Sequence, residues 1–118
     1  AVAPVAAAFK SPWVPAFDLL DPNLHAGLLG VISAINCTPQ ASVLYAYSLS
    51  GGGPFSHKLG PVLLTPPITI LGSAVANGSG QANLFFQVPQ GAAGVSFWLQ
   101  AYDTVKKGFS NGVMDVIN

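Results

Sequence analysis

Arginine and glutamate are absent from this chain, and four lysines and four aspartates carry all of its formal charge. Charged residues make up 7% of the sequence, against the ~25% usual in soluble domains. The surface must therefore be built from Ser, Thr, Asn, Gln, Gly and small apolar groups. Four scattered lysines form no basic stripe that could release counterions from a phosphate backbone, which argues against nucleic acid as a partner. The net charge is zero, so little electrostatic repulsion opposes self-association.

Long apolar runs are also missing. Apolar residues make up 51% of the chain, yet Pro or Gly interrupts every run before the ~18 residues that a membrane-spanning helix needs. No transmembrane segment is expected. The opening residues 1–8 are apolar but lack a basic flank, and they read as the start of a mature secreted chain rather than as a signal segment. Cysteine occurs once, at Cys37, which rules out an intrachain disulfide and suggests a small buried apolar residue at a strand end.

Catalytic groups are equally scarce: Asp18, Asp21, Asp103, Asp115, His25 and His57 are the acid–base inventory. Asp18 and Asp21 precede Pro22 and read as turn residues, a calcium site on them being the weaker alternative. Asp103 opens the turn Asp103-Thr104-Val105-Lys106. Asp115 reads as solvent-facing, with Met114 and Val116 on the opposite face of the last strand. The histidines have no metal-ligand spacing, and Cys37 with His57 carries no nucleophile–base signature. A non-enzymatic protein without metal or cofactor is expected.

Thirteen glycines and ten prolines punctuate the chain at short intervals. Between them lie runs rich in Val, Leu, Ile, Phe and Tyr that alternate with period two. The clearest is residues 94–102 (GVSFWLQAY), with Val95, Phe97, Leu99 and Ala101 on one face. Residues 81–88 (QANLFFQV) place Ala82, Leu84, Phe86 and Val88 together. Further strands are read at 28–35, 42–49, 60–65, 67–76 and 112–117, with a bulge or bend at Gly72. Asn77-Gly78-Ser79-Gly80 signals a hairpin between 67–76 and 81–88. About seven short strands suit an all-β, two-sheet immunoglobulin- or fibronectin-like sandwich. Its domain spans residues 23–118, preceded by an extended Pro/Ala-rich N-terminal arm over 1–22, where Pro4, Pro12 and Pro15 forbid a long helix.

From residue 24 onward the chain resembles an Ig-like β-sandwich module of secreted planctomycete-type bacterial proteins. The segments that carry the likeness are YSLSGGGP (47–54), PPITILG (66–72), NGSGQA (77–82), VPQGAAG (88–94), WLQA (98–101) and Ser110-Asn111. The resemblance implies a secreted or cell-surface module, usually near the C-terminus of larger proteins, with no catalytic residues to carry over.

Apolar side chains on the polar face mark contact surfaces. Phe85 and Trp98 alternate away from the core residues, and with Tyr102 they would form one outward patch if 81–88 and 94–102 were neighbouring strands. An uncovered apolar arm is costly in water, so Val5, Phe9, Trp13, Val14 and Phe17 are expected to fill pockets, on a neighbouring copy by strand addition, with docking on the same chain as the alternative. These residues point to the structural subunit of an extracellular filament, sheath or surface layer, with itself as partner. The alternative is a carbohydrate- or surface-binding module using Trp98, Tyr45, Tyr47 or Tyr102. Asn36 and Asn77 open the sequons Asn36-Cys37-Thr38 and Asn77-Gly78-Ser79 and are candidate glycan acceptors.

Overall fold

The computed structural model describes residues 8–9, 16–53, 55–57 and 60–118. Their strands, in chain order, are β1 (Ala8–Phe9), β2 (Asp18–Leu19), β3 (Leu29–Ile35), β4 (Ser42–Ser48), β5 (Phe55–His57), β6 (Gly60–Val62), β7 (Thr69–Val75), β8 (Ala82–Gln87), β9 (Ser96–Asp103), β10 (Gly108–Phe109) and β11 (Gly112–Val116). The larger sheet has the order β1-β11-β9-β4-β7, with β10 also on β9, and the smaller has the order β2-β3-β8. All of these pairs are antiparallel. The two sheets pack face to face as a β-sandwich, as the alternation led us to expect.

Period-two burial sets the facing. In β3, Gly30, Ile32 and Ala34 turn inward while Leu29 and Val31 turn out. In β9, Phe97, Leu99 and Ala101 join Val43, Tyr45 and Val113 in one core with Ile32, Ala34 and Ala82 from the opposite sheet. Tyr45 spans the layers: its hydroxyl donates to the Ala82 carbonyl at 2.8 Å, and burial pushes its phenol pKa upward.

The outer face of β9 is covered too. Val62, Leu63 and Leu64 are buried, and the Leu63 N–H donates to Gln100 Oε1 at 2.8 Å while Gln100 Nε2 donates to the Ser110 carbonyl at 2.8 Å. Gln100 is thus a buried polar residue with both ends satisfied. Residues 60–65, read as one short strand, begin in a small hairpin, β5 with β6, and continue across the larger sheet.

Two expectations about facing are corrected. Residues 67–76 and 81–88 do not form a hairpin: β7 pairs with β4, and β8 pairs with β3 in the other sheet. The Asn77–Gly80 turn reverses the chain locally (Gly80 N–H to Asn77 O, 3.0 Å) but hands it across the sandwich, where Cys37 N–H meets Gly80 O at 2.9 Å. In β11 the faces are inverted. Val113 is buried at 2% exposure, and Asp115 shares its inward parity, whereas Met114 and Val116 face out. The bulge or bend expected at Gly72 is a β-bulge: the β4–β7 register slips between Tyr45 and Ala46, leaving Leu71 without a paired partner on β4.

The turn's demand falls on Gly80, not on Gly78. Gly80 has φ +80° and a Cβ there would lie 2.5 Å from the Cys37 carbonyl oxygen, whereas a Cβ on Gly78 meets nothing within 4 Å. Gly80→Ala is therefore expected to lose about 1–3 kcal/mol in urea unfolding, with Gly78→Ala near neutral. Equal midpoints for the two variants would contradict this geometry.

Candidate functional site

The N-terminal segment is stitched into both sheets of its own chain. β1 lies on the edge of β11, with Ala8 opposite Val113 and Phe9 opposite Gly112. Ala16 N–H then donates to Phe109 O at 2.9 Å, and Phe17 forms a parallel bridge with Ser110. Residues 18–19 join β3 as β2. Asn111 fixes this crossing by binding one residue at both ends: Leu19 N–H donates to Asn111 Oδ1 at 2.7 Å and Asn111 Nδ2 donates to Leu19 O at 3.1 Å. Lys106 Nζ adds bonds to Asn36 O at 2.6 Å and Ala16 O at 3.1 Å.

Of the arm residues expected to fill a neighbour's pockets, Phe17 instead fills its own core, 2% exposed. Phe9 is placed by its backbone pairing in β1 alone. Val5, Trp13 and Val14 lie outside the described residues.

The expected aromatic patch is not one surface. Because β8 pairs with β3, while β9 pairs with β4 and β11, Phe85 sits on the outside of the smaller sheet. Trp98 and Tyr102 lie across the core on the outside of the larger one. Tyr102 packs its ring on Phe109, with centroids 4.8 Å apart, and Gln100 between it and Trp98 is covered by Leu63. Tyr45, proposed as a sugar platform, is fully buried.

A different apolar surface emerges on the smaller sheet. Val31 stands directly opposite Phe85, and Leu29 opposite Gln87; Leu20 N–H is bonded to Ser33 O. Leu20, Leu29, Val31 and Phe85 are exposed by 42%, 68%, 41% and 62%, so they form a contiguous outward group. Cross-strand neighbours of this kind touch one another. Its signal was in the sequence: Leu29 and Val31 are the residues of strand 28–35 that alternate away from Ile32.

The titratable groups serve structure. Asp103 is fully buried; its Oδ1 accepts from Val105 and Lys106 N–H, both at 2.9 Å, and its Oδ2 from Thr38 N–H at 2.8 Å. Burial opposes its ionisation, but the hydrogen bonds from Thr38, Lys106 and Val105 outweigh it and lower its pKa. Asp103 thus closes the turn expected of it and also ties that turn to the end of β3.

Asp115, expected on the solvent face, points instead toward Asp21. Loss of water around the Asp21 carboxyl, then its hydrogen bond with Asp115 and that group's charge, raise its pKa to about 7. Asp18 is engaged elsewhere, accepting from Asn36 Nδ2 at 2.6 Å, so Asp18 and Asp21 do not share a ligand set. Among the described residues no three His, Cys, Asp or Glu side chains group as a metal site.

Cys37 is buried and free, and burial followed by the Asp103 charge raises its pKa, the opposite of an activated nucleophile. Both sequon asparagines are exposed. Asn77 Oδ1 holds the turn by accepting from Ser79 and Gln81 N–H at 2.9 and 3.0 Å, while Asn36 directs its amide nitrogen to Asp18. No protein-family model, curated protein or solved structure matches the chain.

The two carboxyl shifts have opposite linkage. Asp103, depressed when folded, stabilises at neutral pH and loses that contribution as pH falls below about 4 and through its folded pKa. Asp21, raised when folded, contributes fully below about pH 4 and loses its contribution as pH rises through about 7. Melting temperature followed against pH should therefore decline between these limits more steeply for the native chain than for Asp21→Asn. Parallel profiles would contradict the Asp21–Asp115 pairing.

Proposed function

We propose that this chain is a non-enzymatic structural subunit of an extracellular filament, sheath or surface layer, assembling through its N-terminal arm. The pairing of β1 with the edge of β11 carries this reading. The ladder formed by Ala8 and Phe9 on Gly112 and Val113 is the same whether a chain's own arm or a neighbour's supplies it. Exchange of such an element between identical copies is a low-cost route to association. Donation of β1 from each subunit to the next is a head-to-tail contact, which propagates unless its rotation closes a ring. Val5, Phe9, Trp13 and Val14 are the arm residues to follow it on, and the uncovered face of Leu29, Val31 and Phe85 is a further contact area. Scarce charge favours stacking, since subunits do not repel.

The secreted setting rests on the likeness to planctomycete-type surface modules. The immunoglobulin- or fibronectin-like connectivity is supported by the strand order, three strands facing four with β1 at the edge. A carbohydrate- or surface-binding module is the second reading, favoured by the half-buried Trp98 on the outer face of the larger sheet.

Light scattering on the full chain at rising concentration is expected to give species larger than a monomer, with polymers visible by negative-stain microscopy. Phe9→Pro, which removes a backbone donor from the β1 ladder, and deletion of residues 1–15 should both reduce assembly while circular dichroism keeps the β signal. A full chain that stays monomeric up to millimolar concentration, or assembly untouched by either change, overturns the proposal.

A further inference from the structure

The two sheets do not close on each other at both ends. Where β3 and β9 begin and β4 and β8 end, a cavity of about 330 Å³ opens between the layers. Ile32 and Phe86 line it from the smaller sheet, and Leu71, Phe97 and Leu99 from the larger. Ile32 and Leu99, each 1% exposed, form its floor, and Leu49, 56% exposed, stands at its mouth. Among the described residues no charged side chain lines it, and the polar side chains of that lining are Tyr47 and Gln87.

We propose that this cavity is a binding site for a single aliphatic chain of about a dozen carbons, its polar head left in water at the mouth. A cavity of ~150 Å³ lined by Leu, Ile and Phe accepts benzene and stays dry, and this one has about twice that volume. Water needs two to four polar partners to be held in such a space, and the walls offer almost none. An empty apolar cavity lowers stability in proportion to its volume. The described walls therefore favour an apolar occupant. A slot between sheets about 10 Å apart, whose described walls carry no charge and no set of converging donors, recognises by contact alone. That suits methylene groups rather than a ligand that needs directional bonds. The Leu71 bulge helps to shape it, because the slipped register places an unpaired residue in the wall.

Dodecanoate, kept below its micelle concentration, is the probe. Titration calorimetry is expected to give one saturable site per chain, at least tenfold weaker with octanoate. Ala92 lines the cavity from the turn after β8 and is half-buried, so Ala92→Trp should fill the space and weaken binding at least tenfold, with its fold checked by urea unfolding. Leu71→Trp, from the opposite wall, should do the same and guards against misfolding of the first variant. Phosphatidylcholine vesicles that sediment the native chain but not Ala92→Trp would identify a bilayer lipid as the source of the chain. Dodecanoate binding without sedimentation would identify a free amphiphile. No saturable binding, or binding indifferent to both tryptophan variants, overturns the proposal. So does binding that appears only after deletion of residues 1–15, which would assign the cavity to the chain's own arm.

Discussion

A β-sheet edge must be paired, covered, charged or bent away, and this chain has almost no charge to do it with. The remaining devices are used instead. β11 is paired by β1, drawn from the N-terminal segment. β7, at the other end of the larger sheet, carries the bulge at Leu71, which interrupts a flat ladder. The outer face of β9 lies under Val62, Leu63 and Leu64. Even the buried amide of Gln100 is spent on this cover, since it holds Leu63 on one side and Ser110 on the other.

The same constraint explains why the N-terminal segment is more than a tether. Phe17 and Leu19 are core residues, and Asn111 binds Leu19 as a strand neighbour would. Residues 16–22 therefore belong physically to the sandwich, and they carry the chain from the edge of one sheet to the edge of the other. Ahead of them, Ala8 and Phe9 pair with Val113 and Gly112 of β11. Phe17 and Leu19 are fixed in the core, at 2% and 3% exposure.

Much of the sandwich was legible from local pattern. Strands β3, β4, β8 and β9 follow alternation that only a pleated strand satisfies, and Asp103 behaves as its turn position implies. What could not be read was pairing across sequence distance. The Asn77–Gly80 turn has the composition of a hairpin, but turn chemistry sets the reversal and not the sheet to which the next strand goes; the close approach of Gly80 to Cys37 decides that. Once β8 moved to the other sheet, Phe85 and Trp98 could no longer share a surface. In β11 the short run Met114-Asp115-Val116 invited an apolar face on the wrong side, because the hydrogen-bond partner of the half-buried Asp115 is another carboxyl, Asp21, far away in the sequence. The exposed Leu29 and Val31 were visible in the alternation and needed only the opposite face of the strand to be considered.

Whether β1 passes between chains is tested most directly by mixing two populations. One carries a nitroxide on Ala8→Cys in a Cys37→Ser background; the other is isotope-labelled and otherwise native. Arm exchange predicts that amide signals of Gly112 and Val113 in the labelled chain broaden, increasingly with concentration. Sharp signals at those two positions at every concentration would mean that β1 stays on its own chain, and would contradict assembly through the arm.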